Sequence, residues 1–268
     1  MHIHFLDPYR SGNSLIHRLD PRVKLVLTLA FILTCALTPP GAWPIYILLF
    51  ASILAIEILS ALGLGYVLKR AVLAFPFVLA ALPIIFTTPG TVWQELGISR
   101  WELIITLPGL VRFLSIAFKS WLSVQAAIIL AASTPFPELL VAMRAVRIPR
   151  LLVAIFGLMW RYLFVLADEA LRLIRARAAR SGNSNQPSIK AGRDLVWRAR
   201  VTGGMAGNLF LRALERSDRI YLAMVSRGYD GEVRTLPLPA ITSANWLVLL
   251  AGLAILGILL SLSFLFGS

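Results

Sequence analysis

The sequence predicts an all-α integral membrane protein, with about five transmembrane helices and two to three cytoplasmic helices set before the last span. Three observations carry that expectation. The 268 residues are 58% hydrophobic with a mean hydropathy of +0.80, outside the composition of ordinary soluble domains. Charged residues make up only 15%, yet the formal net charge is +13, so apolar spans must be joined by basic loops. Finally, apolar runs long enough to cross a hydrocarbon core of about 30 Å, which takes roughly 20 helical residues, recur along the chain.

The first 22 residues are polar and mixed, and no removable signal peptide is expected there. Apolar runs follow at 23–38 (VKLVLTLAFILTCALT), 42–60, 71–87 and 113–133, making 23–133 a four-helix membrane region, and 244–266 closes the chain as the fifth span. The turn TPPGAWP between the first two runs carries no charge and is punctuated by Pro and Gly, as a tight helical hairpin requires. Cys35 is the single cysteine and lies in an apolar run, which excludes a disulfide framework or a cysteine metal cluster.

Basic residues set the orientation. Arg10, Arg18, Arg22 and Lys24 precede or open the first span, Lys69 and Arg70 follow the second, and the 88–108 loop has only Arg100. Residues 134–235 hold seventeen of the 26 Lys and Arg. The N-terminal segment 1–22 and the segment 134–243 are therefore expected in the cytoplasm, and the end of the 244–268 span outside. The run LLVAIFGLMWRYLFVLA at 151–167 competes with this count, because it is apolar enough to cross. Crossing there would put a basic flank on the wrong side and bury Arg161 at a cost of about 2.5–3.5 kcal/mol. It is read as a helix lying along the cytoplasmic face.

Three helical patterns occupy the cytoplasmic segment. PFPELLVAMRAV is bounded by Pro135, Pro137 and Pro149. A second runs some thirty residues from Pro149 to Arg180, with Asp168 and Arg172 spaced to pair. After the solvated connection SGNSNQPSIKAGRD, a third spans about 203–227. Leu209, Phe210, Leu214, Tyr221, Met224 and Val225 form its apolar stripe, Arg212, Glu215, Arg216 and Arg219 its polar face, and Gly228 its C′ residue. The second and third helices end alike: Ala179-Arg180-Ser181 and Ser226-Arg227-Gly228 each set Arg between small residues. A C-terminal Arg gains about 0.3–1 kcal/mol from the helix dipole, which would explain one such tip. A duplicated tip points further, to two equivalent sockets: small flanks admit a close approach, and the guanidinium offers five donors.

With EALRLIRARAARSG (169–182), RSDRIYLAMVSRGYDG (216–231), RIPRLLVAIFGLMWRYLFVLADE (147–169) and the opening GNSLIHRLDPRVKLVL (12–27), the sequence resembles the transmembrane T component of energy-coupling factor transporters, in its cobalt-type CbiQ branch. The resemblance runs over nearly the whole chain. It implies a membrane protein whose cytoplasmic coupling helices dock on two related ATPase subunits, each Arg tip entering one groove, and which holds a substrate-binding S component in the membrane. Arg180 and Arg227 match the motif arginines; Ser181 and Ser226 stand where Gly and Ala are common, and both remain small. The resemblance makes cobalt the expected substrate, with nickel or a vitamin as the alternative.

Lys119 is the one basic residue well inside a span, with Ser115 and Ser123 a turn to either side and Gln125 nearby. An intramembrane charge is a candidate contact for a membrane partner; the plainer reading is that it snorkels to the outer boundary, about 10 Å away. Glu57 approaches the opposite end and is not expected to pair with it. His2, His4 and His17 do not complete a metal site, and no cofactor is expected. No G-x-x-x-x-G-K-[ST] loop exists, so ATP hydrolysis is expected on partner subunits and the chain is not expected to be an enzyme. The stripe RLIRARAAR beside a membrane suits lipid headgroups and a protein partner better than nucleic acid. An ordinary importer permease would need one coupling helix per subunit. A lipid-modifying enzyme would need a cluster of His, Asp or Glu that the spans lack, and a lipid-binding scaffold leaves the repeated tip unexplained.

Overall fold

The structure, a computed structural model, describes residues 8–89, 92–98, 101–180, 195–230 and 240–266. The chain divides into two compact units, Asp7–Arg147 with Leu238–Ser268 and a second within Ile148–Pro237.

In the first unit, a short α1 (Leu15–Arg18) is capped by Ser14, and α2 (Pro21–Leu37) opens with Pro21 and with the Asp20 carboxylate accepting from the Arg22 N–H at 2.9 Å. Helix α3 (Trp43–Ser60) returns and ends at Ala61, which takes a left-handed conformation. After α7 (Leu107–Ser133) and α8 (Phe136–Ala145), α11 (Ser243–Phe266) completes the unit. Phe31 and Cys35 of α2, Ile45, Leu49 and Ile53 of α3, Leu122, Ala126 and Ile129 of α7 and Leu259 of α11 form one buried cluster. Phe50 stacks on Trp121 at 5.6 Å, and Phe118 meets Tyr46 edge-on at 6.0 Å. Gly252 lets α11 approach α2: a Cβ there would lie 2.6 Å from Cδ2 of Leu27.

The third expected span starts earlier than residue 71 and is broken. Helix α4 (Leu64–Ala71), a 3₁₀ turn at Val72–Ala74, α5 (Phe75–Ala80) and α6 (Ile84–Thr87) follow one another, with Pro76 and Pro83 removing backbone donors. Side chains satisfy carbonyls at the break, as Thr87 Oγ1 donates to Pro83 O (3.2 Å) and Thr88 Oγ1 to Ile84 O (2.8 Å). The 88–108 segment, read from the sequence only as a loop, contains antiparallel strands β1 (Val92–Ile98) and β2 (Trp101–Thr106), with Ile98 opposite Trp101. Its β-branched and aromatic residues around a two-residue connection were the available signal.

By length and composition five helical stretches can cross a membrane: Trp43–Ser60, Leu64–Thr87, Leu107–Ser133, Arg150–Arg180 and Ser243–Leu265. Four coincide with expected spans. Helix α2, with 17 residues, is about 25 Å long and falls short of that length, whereas α9 (Arg150–Arg180) meets it.

The N-terminal segment is fixed at one end of the bundle. Arg10 N–H donates to Ala132 O (3.0 Å), Tyr66 Oη donates to Pro8 O (3.3 Å), and the Arg10 and Arg70 guanidinium groups lie 3.8 and 4.5 Å from the Tyr66 ring centre. Arg10, Lys24 and Arg70 therefore gather where α7 ends.

Candidate functional site

The second unit is a pair of 31-residue helices, α9 and α10 (Leu195–Val225). Helix α10 begins eight residues before the expected position, and the Gly203-Gly204 pair lies inside it. Its half-buried residues are Val201, Met205, Leu209, Ala213, Arg216, Ile220 and Met224, at intervals of three and four. Leu209 and Met224 of the expected stripe lie on that face. Phe210, Leu214, Tyr221 and Val225 instead stand exposed beside it.

Charge pins the two helices together. Glu169 of α9 accepts from Arg212 Nη1 through Oε1 and from Arg216 Nη2 through Oε2, both at 3.2 Å. Arg212 and Arg216, one turn apart, straddle the carboxylate. The hydrogen bond from Arg212, followed by the charges of both arginines, holds the Glu169 carboxyl below its ordinary value. This corrects two expectations. The Asp168–Arg172 pair is not formed among the described residues, and Arg216, placed on a solvated face by its charge, belongs to the packed one. Arg177, two turns beyond Glu169, donates to Thr202 Oγ1 (3.3 Å) and lies 5.9 Å from the Trp197 ring centre.

That register fixes the placement of the tips. Moving along α9 from Glu169 to Arg177 moves back along α10 from Arg212 to Thr202, so the helices run antiparallel. Arg180 lies about 16 Å beyond Glu169, and Arg227 about 16–22 Å beyond the two pinning arginines in the other direction. The Arg180 and Arg227 tips thus stand at opposite ends of the pair. Ala179, Arg180, Ser226, Arg227 and Gly228 are exposed; Ser181 lies outside the described residues.

The end of α10 is locally determined. Gly228 has φ +80, its N–H donates to Val225 O (2.9 Å), and the Tyr229 N–H donates to Met224 O (3.0 Å). These two bonds make a Schellman cap with glycine at C′, a conformation that costs other residues roughly 1–2 kcal/mol. Ser226 Oγ adds a bond to Ala223 O (3.0 Å). Arg227 is therefore the last residue before the reversal, at the negative end of the helix.

Lys119 has an internal partner set. Its Nζ donates to Thr38 O and to Ala36 O (3.3 Å), the carbonyls left open where α2 ends. Glu57, only 3% exposed, is not its partner, and Oε1 of Glu57 has no hydrogen bond. Among the described residues no group of three or more His, Cys, Asp or Glu could hold a metal.

The sequence profile of the CbiQ family, described as cobalt transport protein, matches residues 12–237, which contain both tips. An uncharacterized protein of Methanocaldococcus jannaschii is 27% identical over 86% of this chain and 82% of its own. The energy-coupling factor transporter transmembrane protein of Lacticaseibacillus paracasei is 28% identical over 84% of this chain and 85% of its own. A cobalt transport protein of Salmonella typhimurium is 27% identical over 79% of this chain and 91% of its own.

Proposed function

The chain belongs to the CbiQ family of cobalt transport proteins, and from that premise we propose how this T component of an energy-coupling factor importer works. It is a noncatalytic, multi-pass protein of the cell membrane. Arg180 and Arg227 each enter a groove on one of two ABC ATPase subunits, and the α9–α10 pair carries ATPase closure to an S component in the bilayer. The observation that supports this most is the antiparallel register: one arginine tip at each end of a charge-pinned pair, with roughly 30–40 Å between them along its axis. One socket on each of two subunits suits that spacing.

Helix α9 lies on the cytoplasmic side in this reading, and α2 is the fifth span. Arg161 stands exposed in the middle of the apolar run of α9, and the C-terminal half of α9 is held by ion pairs to α10. Helix α2 contributes Phe31 and Cys35 to the core, and a somewhat thinned bilayer accommodates its shorter length. Arg10, Lys24 and Arg70, gathered at one end of the bundle, support a cytoplasmic N-terminus.

Cobalt is the proposed substrate, by the family description and the cobalt transport relatives. Relatives named only as energy-coupling factor components are equally similar, so uptake of cobalt is to be compared with that of nickel and vitamins. The defining experiment purifies the chain from its native membrane. Two nucleotide-binding subunits in the purified complex support the reading, and a chain isolated without any would sink it.

A further inference from the structure

We propose that the structure contains an anion site for the phosphate group of a phospholipid, where α2 and α6 end and α7 begins. A cavity of about 500 Å³ lies there, and its polar lining includes Arg112, Lys119, Ser115, Thr87 and Thr88. Arg112, Ser115 and Lys119 follow at intervals of three and four on α7, so a single helical face supplies both cations. No carboxylate lines the cavity among the described residues.

Donor capacity remains where the charge is. Thr87 and Thr88 spend their protons on Pro83 O and Ile84 O, and Ser115 Oγ accepts from the Gly41 N–H (3.2 Å). Lys119 commits two of its three protons to Ala36 O and Thr38 O, leaving one. Arg112 is exposed and none of its five donors is spent on a hydrogen bond or ion pair among the described residues. Two positive groups and a forked donor at a helical-bundle boundary match a phosphodiester, whose two unesterified oxygens accept from a guanidinium side by side. The boundary position supplies the rest of the molecule: Ile84 and Ile116 line the same cavity, and the acyl chains continue into the bilayer beside them.

The test uses the purified full chain in neutral detergent. Its unfolding temperature is followed during titration with short-chain phosphatidylglycerol, short-chain phosphatidylcholine or inorganic phosphate, for the wild type, Arg112→Gln, and Arg70→Gln as a control at the opposite end. Arg112→Gln leaves the Lys119 bonds to α2 in place, so the fold is retained. The expected result is saturable stabilisation by phosphatidylglycerol that weakens about tenfold in Arg112→Gln and not in Arg70→Gln. Stabilisation by both phospholipids, sensitive to Arg112, also supports a lipid phosphodiester. The same sensitivity with inorganic phosphate alone assigns the site to a free anion and overturns the lipid. Equal affinity in wild type and Arg112→Gln, or no saturable stabilisation by any probe, overturns the site.

Discussion

Lys24 and Lys119 cap each other's helices. Lys24, near the start of α2, donates to Ser133 O at the end of α7 (3.2 Å) and to His17 O (3.1 Å), while Lys119 of α7 donates to Ala36 O and Thr38 O at the end of α2. Fourteen residues separate the two contact points on each helix, so the helices run antiparallel in strict register. Each lysine places positive charge against the negative end of its neighbour and satisfies carbonyls that the helix leaves open.

Removing either cap should therefore loosen the bundle. Lys24→Met leaves the buried Ser133 carbonyl unsatisfied, at about 1–3 kcal/mol, and Lys119→Met opens the part-buried Thr38 carbonyl, so the expected result for each is a lower unfolding temperature in detergent. Lys24→Arg should restore part of the loss, because the guanidinium can reach the same acceptors. Unchanged melting of both methionine variants would show that these bonds contribute nothing.

The tips should behave differently from the caps. Arg180→Ala or Arg227→Ala should leave the melting of the membrane unit unchanged while weakening ATPase docking. Truncating one partner of a buried charged contact costs about 2–5 kcal/mol, so affinity should fall by at least about tenfold. Quantifying ATPase subunits that co-purify with each variant checks this. Normal assembly of both single variants would refute the two-socket reading.

Glu169 tests the pin. Glu169→Gln keeps the shape and removes the charge, so ATPase binding should persist while uptake per ATP hydrolysed falls. The carboxyl is held below its ordinary value of 4.5, chiefly by Arg212. A lowered folded-state value means that its contribution is complete above the unfolded value and disappears as pH drops through the folded one. Spin labels at Ala179 and Ser226 should thus report a constant separation down to about pH 4.5 and a change only below it. A change beginning near neutrality would assign the pairing to other groups.

Topology can be read with a membrane-impermeant thiol reagent, since Cys35 is fully buried and gives a silent background. A cysteine at exposed Ser217 should react only after the cell membrane is opened, and one at exposed Thr87 should react in intact cells. Reaction of the Ser217 variant from outside would make α9 a span and remove the coupling-helix reading.

Elements whose ends are decided by a few neighbouring residues were legible. Pro149 precedes α9, and Gly228 stops α10 because the reversal needs a positive φ. Arg180 and Arg227 stood out because the same small-Arg-small tip closes two helical patterns, and both residues are exposed where those helices end. What depended on distant partners was not. Lys119 was seen as an intramembrane charge, yet its acceptors lie more than eighty residues away. Arg216 looked like a solvent residue until Glu169 supplied a partner across the helix pair. The first two turns of α10, before residue 203, were not read as helix, and Gly203 and Gly204 weaken the helix locally without ending it when flanking turns continue.

The pin at Glu169 also determines how the pair can deform. No residue of α10 is fully buried, so little apolar area holds the two helices at a fixed angle. A forked carboxylate gripped by two arginines resists sliding, and turning about it strains chiefly the exposed Arg177–Thr202 bond two turns away, so the pair acts as levers about Glu169 with that bond as a light restraint. An arm of about 17 Å turning through about 10° carries its end about 3 Å. Ångström-scale travel at the ends thus becomes a change of angle at the fulcrum, and the exposed side chains Phe210, Leu214 and Tyr221 sweep with it.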